Sequence, residues 1–211
     1  MIAGLLLASG ASSRFGGDKL LATLDGHAVV RWSAEALAGT VDALVVVVRE
    51  DSDRSALRPE VRSAESPIRR ALEGLPIRLV INHDAARGMS TAIRAGIGAL
   101  PAHTGAAIVA LGDQPLVDAR VIEQLVARWR ERGARAVQPR YDDGPGHPVL
   151  FDASLFPALC ALEGDAGARG VLDAQGAALE LLGVAGPRPI DVDTPDALRA
   201  VAEELARRAR G

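Results

Sequence analysis

Leu7-Ala8-Ser9-Gly10-Ala11-Ser12-Ser13-Arg14-Phe15-Gly16-Gly17-Asp18-Lys19 is the stretch whose reading decides the fold. It follows without a break on Ile2–Ala8, a run apolar on both faces, as a strand buried on both sides of a sheet must be. Small residues after such a strand let the backbone approach a ligand, and consecutive N–H groups form an anion-binding nest. Arg14 and Lys19 set two cations beside that nest. Backbone donors with an arginine and a lysine suit a triphosphate; the competing reading is a Gly/Ser turn whose cations are solvated. Two familiar phosphate patterns do not fit. The dinucleotide fingerprint needs glycine two residues after Gly10, where Ser12 stands, and a P-loop needs Ser or Thr after its lysine, where Leu20 stands.

Outward from this loop, apolar runs alternate with helical patterns. Ala43–Val48, Ile77–Ile81 and Ala106–Leu111 read as further buried strands, Ala134–Val137 as a fifth, and His147–Phe151 and Pro189–Val192 as weaker ones. Ile122, Leu125, Val126 and Trp129 recur at helical spacing, as do Leu198, Val201, Ala202 and Leu205. Thr194-Pro195 reads as an N-cap followed by proline at the first helical position. Such alternation predicts an α/β fold with a doubly wound, mostly parallel sheet. The 211 residues suit one domain. Arg49–Pro67 reads as a polar surface excursion.

Composition excludes several classes. Hydrophobic residues make up 48% and aromatics only 3%, so the core rests on Ala, Val, Leu and Ile. A formal net charge of −3 argues against a nucleic-acid backbone as partner, which would want a basic face. No apolar run approaches the ~18 residues of a membrane span. The one cysteine, Cys160, excludes an intrachain disulfide, and its aliphatic neighbours suggest core packing; a reducing, cytoplasmic setting is expected.

In doubly wound sheets ligands sit beyond the C-terminal strand ends, where the strand order reverses. That rule selects the remaining loops. Asp113, in Gly112-Asp113-Gln114-Pro115 after the fourth run, points into the crevice. Mg²⁺, which takes one or two carboxylates plus substrate phosphates, is its natural partner. Asp191 and Asp193 lie two apart at the end of the last expected strand. One of them completes the metal site, and Asp193, beside the cap, is favoured; the competing reading is charge complementing the helix dipole. His147 and Arg169 are polar residues of the second half, Arg169 suited to a phosphate.

The N-terminal string resembles the L-A-x-G-x-S-x-R-x-G-x-x-K signature of the MobA-like nucleotidyltransferases, with Leu7, Ala8, Gly10, Ser12, Arg14, Gly16 and Lys19 in the pattern. The resemblance implies a Rossmann-like α/β/α sandwich. It also implies transfer of a nucleoside monophosphate from an NTP to a phosphorylated acceptor, with Mg²⁺ on Asp113. Leu7, Ala8, Ser9, Gly10, Arg14 and Lys19 would then bind the nucleotide. The Asn82–Ser90 loop, with Gly88, would contact its base, since Asn amides and Ser hydroxyls can hydrogen-bond a base edge. Gly146-His147-Pro148 and Gly164–Gly170 resemble the acceptor side of the cytidylyl branch. Ser9 replaces a glycine usual in the guanylyl branch, so CTP is expected, and molybdopterin as acceptor. The alternatives are a GTP-dependent molybdopterin guanylyltransferase, a transferase for another phosphorylated acceptor, and a protein recruited without transfer to redox work or to maturing a molybdoenzyme client.

Overall fold

The computed structural model describes residues 1–10, 15, 17–49, 67–165 and 167–210. Ser12, Arg14 and Gly16 of the motif, and the interior of the excursion at 49–67, lie outside the described residues. The elements run β1 (Ile2–Ala8), a short pair β2 (Thr23–Leu24) and β3 (His27–Ala28), α1 (Val29–Ala38), β4 (Ala43–Arg49), α2 (Pro67–Ala71), β5 (Ile77–Asn82) and α3 (Met89–Gly98). There follow β6 (Ala106–Leu111), α4 (Ala119–Arg132), β7 (Ala136–Tyr141), β8 (Gly144–Pro145), β9 (Val149–Asp152), α5 (Phe156–Cys160), α6 (Arg169–Asp173), β10 (Leu179–Gly183) and α7 (Pro195–Arg208).

The main sheet has the order β10-β7-β9-β6-β1-β4-β5, with β8 paired to β7. Pairs β1–β4, β1–β6, β4–β5 and β7–β10 are parallel, whereas β9 runs antiparallel to both neighbours, so the sheet is mixed and mostly parallel. Every residue of β1 is buried because helices cover both faces of the sheet. The pleat sends Ile2, Leu6 and Ala8 toward Val30, Ala34 and Leu37 of α1 and Ile122 and Leu125 of α4. It sends Leu5 and Leu7 toward Ala92 and Ile93 of α3 and Leu159 of α5. Each such buried leucine contributes roughly 1.5–3 kcal/mol relative to exposure. Close approach of α3 needs Gly96, where a Cβ would come within 2.2 Å of Leu5 Cδ1.

The α/β fold, the doubly wound order and the flanking helices agree with the sequence reading, and Thr194 caps α7 by accepting from Ala197 N at 3.1 Å. Three strand expectations are corrected. The fifth strand begins two residues later than expected and runs on through Pro139 to Tyr141, and the sixth starts at Val149. Pro189–Val192 is not a strand. Pro189 has no N–H to give a ladder, and Val192 N donates to Asp113 O at 2.8 Å. The edge of the sheet is instead β10, which its half-exposed sequence Leu179-Glu180-Leu181-Leu182-Gly183 did not announce. No helix among the described residues is long and apolar enough to cross a membrane.

Candidate functional site

The strand order reverses at β1. The chain passes from β1 to β4 and β5 on one side, then returns to β6 on the other. The C-terminal ends of β1 and β6 therefore open onto one crevice. Ser9 and Gly10 leave β1 there, and Gly112 and Asp113 leave β6, with Gly112 N still bonded to Leu7 O at 2.9 Å.

Lys19 enters the same crevice from a short turn, Lys19–Leu21, whose start is fixed by Asp18 accepting from Leu20 N at 3.1 Å. Its ammonium lies 2.6 Å from Asp113 Oδ2 and 2.6 Å from Asp193 Oδ1. The lysine side chain is only 8% exposed, against 20% for Asp113 and 42% for Asp193. Burial alone would push the Lys19 ammonium toward deprotonation; hydrogen bonds and charge from the two carboxylates overcome it and raise the group above its ordinary value. Asp193 is delivered by the irregular strap 189–193, which the Val192–Asp113 backbone bond draws across the crevice. Asp191 accepts instead from Gln114 Nε2 at 2.8 Å. Burial raises Asp191 above the usual carboxylate range, opposed by the Gln114 bond and reinforced by Asp113 and Asp193.

Two carboxylate oxygens that converge on one cationic point are a hard donor set. They suit Mg²⁺, whose remaining positions water and phosphate would fill. Among the described residues no group of three or more His, Cys, Asp or Glu gathers to hold a metal. The residues thus fit an ion completed by substrate.

Beside this cluster lies a cleft of about 390 Å³. Its wall includes Leu7, Ala8, Ser9, Gly10, Lys19, Gly88 and Asp113, seven residues singled out from sequence. Asn82 and Ser90 do not line it. The Asn82 amide donates to Thr91 Oγ1 at 2.9 Å and accepts from Asp84 N at 3.2 Å, so it braces the loop. Ser90 is buried, and its backbone N donates to Gly164 O at 3.1 Å. That contact explains Gly88, which has φ +104° and whose Cβ would fall 2.4 Å from Gly164 C. Gly164–Asp165, expected on the acceptor side, closes the near end of this cleft, and Asp165 joins its wall. Ala85, Ala86 and Met89 also line it, with Leu20, Ala92 and Leu111, and no sequence signal marked the alanines.

A second cavity of about 460 Å³ opens on the other side of Leu111, lined by Gln114, Gln138, His147, Arg188 and Asp191 among others. Its rim is tied by Arg188 N and Nε donating to the two Asp143 oxygens at 2.9 and 3.1 Å. His147 also borders a third, apolar cavity of about 120 Å³ with Met89 and Arg169. Burial pushes the His147 imidazole below its ordinary value, against the pull of Asp113. Tyr141 Oη donates to His147 O at 2.9 Å. The Arg169 side chain is 91% exposed and sits 3.8 Å from Asp173. Cys160 is half-buried.

The chain belongs to the MobA-like NTP transferase family, whose domain matches residues 4–179. It is 33% identical over 177 residues to nicotine blue oxidoreductase of Paenarthrobacter nicotinovorans, covering 80% of this chain and 79% of that protein. It is 28% identical over 151 residues to a probable molybdenum cofactor guanylyltransferase of Thermococcus gammatolerans, covering 69% and 66%. It also spans 26% of the length of the bifunctional GlmU protein of Mycolicibacterium vanbaalenii, at 36% identity over 136 residues. Among solved structures it is similar to Rv0371c of Mycobacterium tuberculosis, with TM-score 0.76 and 26% identity over 96% of this chain and 98% of that one. The manganese complex of Rv0371c matches with TM-score 0.72 at 25% identity over the same shares.

Proposed function

We propose that this MobA-like nucleotidyltransferase moves a nucleoside monophosphate from an NTP, CTP in preference to GTP, to a phosphorylated acceptor, molybdopterin or the molybdenum cofactor. The observation that carries the reading is the meeting of Lys19, Asp113 and Asp193 at the wall of the cleft formed by Leu7–Gly10. The acceptor phosphate oxygen attacks the α-phosphorus in line. An oxygen–phosphorus bond forms, the bond to the β-phosphate oxygen breaks, and pyrophosphate leaves. Two anions meet, so the demand is positioning and charge neutralisation. Asp113 and Asp193 would hold Mg²⁺, which supplies neutralising charge on the phosphates when bound. Lys19, with Arg14, stabilises charge on the transferring and leaving groups. The backbone of Ser9 and Gly10 and the Gly88 loop cradle the nucleotide. The 460 Å³ cavity beyond Leu111 takes the acceptor. No covalent enzyme intermediate is needed. A cytoplasmic setting suits a chain with one cysteine, and the net charge of −3 suits a small-molecule partner over nucleic acid.

The test is pyrophosphate release from each of four NTPs at fixed Mg²⁺, with and without molybdopterin. CTP with molybdopterin is expected to be fastest. Equal release with and without acceptor, or a preference for GTP, overturns the corresponding part of the reading.

A second reading is supported by the 33% identity to a protein named an oxidoreductase. In it the fold is retained for redox work or for maturation of a molybdoenzyme client. The same screen separates the two, because such a protein releases no pyrophosphate from any of the four nucleotides.

A further inference from the structure

We infer that Lys19 is an internal competitor for the divalent cation, so that the ion binds tightly only when nucleotide phosphate draws the lysine away. The inference rests on reading Asp113 and Asp193 as the metal ligands. Lys19 Nζ stands 2.6 Å from one oxygen of each. An Mg²⁺ ion drawn to the same two oxygens would have to share them with the ammonium, which would repel it at close range. Each cation therefore weakens the other's hold on the pair.

The lysine is a strong competitor because it is buried between the two carboxylates on an anchored turn. Its side chain is 8% exposed, and its turn is anchored by the Asp18 cap and by Leu20, which packs in the core. Leaving the two carboxylates without another anion would strand a charge in a partly dehydrated site. The cleft supplies that anion: the same Lys19 lines the space beside Ser9 and Gly10 where a triphosphate is read. A nucleotide that arrives with its metal therefore offers a mutual exchange. The ion takes the carboxylates and the lysine takes the phosphates, with little change in local charge. Metal and nucleotide become positively coupled, and by linkage each tightens the other equally.

The exchange is measured with Mn²⁺ alone, titrated into the full chain and followed by the EPR signal of the free ion. Lys19→Met is expected to bind Mn²⁺ at least about tenfold tighter than wild type, the scale on which one close charge acts at a partly buried site. Adding Asp113→Asn to it should return weak binding. Mn²⁺ should also raise the melting temperature of Lys19→Met more than that of wild type. Lys19→Gln serves the same purpose should the methionine variant not fold. A wild-type measurement needs no variant: high Mg²⁺ alone should shift the Lys19 ε-methylene NMR resonance.

Folded Lys19 variants that bind Mn²⁺ no tighter than wild type, or a Lys19 resonance unmoved at saturating Mg²⁺, overturn the inference. Tightened Mn²⁺ binding in a protein that transfers no nucleotide keeps the exchange and discards the transferase reading. Transfer with unchanged Mn²⁺ affinity in the variants does the reverse.

Discussion

Lys19 and Asp113 are 94 residues apart in the chain, and their side chains meet at 2.6 Å. The contact exists because β1 and β6 are parallel neighbours in register from Ile2–Ala106 to Leu7–Leu111, which brings both following loops to one edge. Lysine, as a loop cation, would be expected to matter little for stability. Here it is buried between two carboxylates, so its removal is expected to cost stability.

Asp113→Asn keeps the side-chain size and removes the charge. The expected loss in kcat is ~10²-fold or more at saturating Mg²⁺, comparable to losing one preorganised electrostatic element. Near-normal turnover would remove Asp113 from the reaction. Lys19 retains Asp193 as a partner, so the variant should stay folded by circular dichroism.

Asp191 and Asp193 are expected to part company. Asp193→Asn should weaken Mn²⁺ binding. Asp191→Asn should not, because its partner is Gln114 and an asparagine oxygen can still accept that bond. The folded-state pKa of Asp191 is raised above 3.8, so the folded protein binds its proton more tightly than the unfolded chain does. Its ionisation therefore destabilises the fold progressively as pH rises through 3.8 to the folded value. Asp191→Asn should match wild type in thermal stability below pH 3.8 and exceed it at neutral pH. A constant difference across that range would show that Asp191 is not crowded by its neighbours.

Gly88→Ala tests the closure of the cleft. The substitution forces φ +104° on an alanine and drives a Cβ into the Gly164 backbone. A loss of ~1–3 kcal/mol is expected from the backbone conformation alone, read as a drop of about 2–4 °C in Tm per kcal/mol for a chain of this size. The Michaelis constant for nucleotide should rise as the 164–165 segment is displaced from the cleft wall. An unchanged Tm would mean that the segment yields freely.

Ser9→Gly tests the nucleotide preference. Ser9 lines the cleft beside Gly10, and a side chain there narrows the space for a purine. In competition, wild type should prefer CTP. The variant should shift toward GTP within the ~10–200-fold range of one clashing or lost contact in kcat/KM. A wild type that already prefers GTP removes both the steric argument and the cytidylyl preference. An unshifted variant moves the cause of CTP preference elsewhere in the wall, with Met89 and Asp165 next to examine.

The sequence by itself determined the strands β1, β4, β5 and β6, the helices α4 and α7, and the edge of the sheet on which chemistry sits. These are local matters. A strand covered on both faces reads as an unbroken apolar run, a half-covered helix repeats at 3.6 residues, and ligands follow the C-terminal strand ends. Seven residues of the cleft beside Lys19 were legible for that reason. Tertiary structure decided the rest. β10 is a half-exposed edge whose burial depends on β7, so its own residues carry a weak signal. Asn82 can read a base or brace a loop with the same amide, and only the fold sets that amide against Thr91 and Asp84 N. Asp165 joins the wall of the same cleft because Gly164 packs on Gly88, 76 positions earlier in the chain. Asp193 rather than Asp191 meets Lys19 because Pro189–Val192 is an irregular strap held by Asp113 O and not a strand. Apart from the Asn82–Thr91 bond, each of these contacts joins segments far apart in the chain, where strand order and backbone hydrogen bonding set the distance and local periodicity carries no information about it.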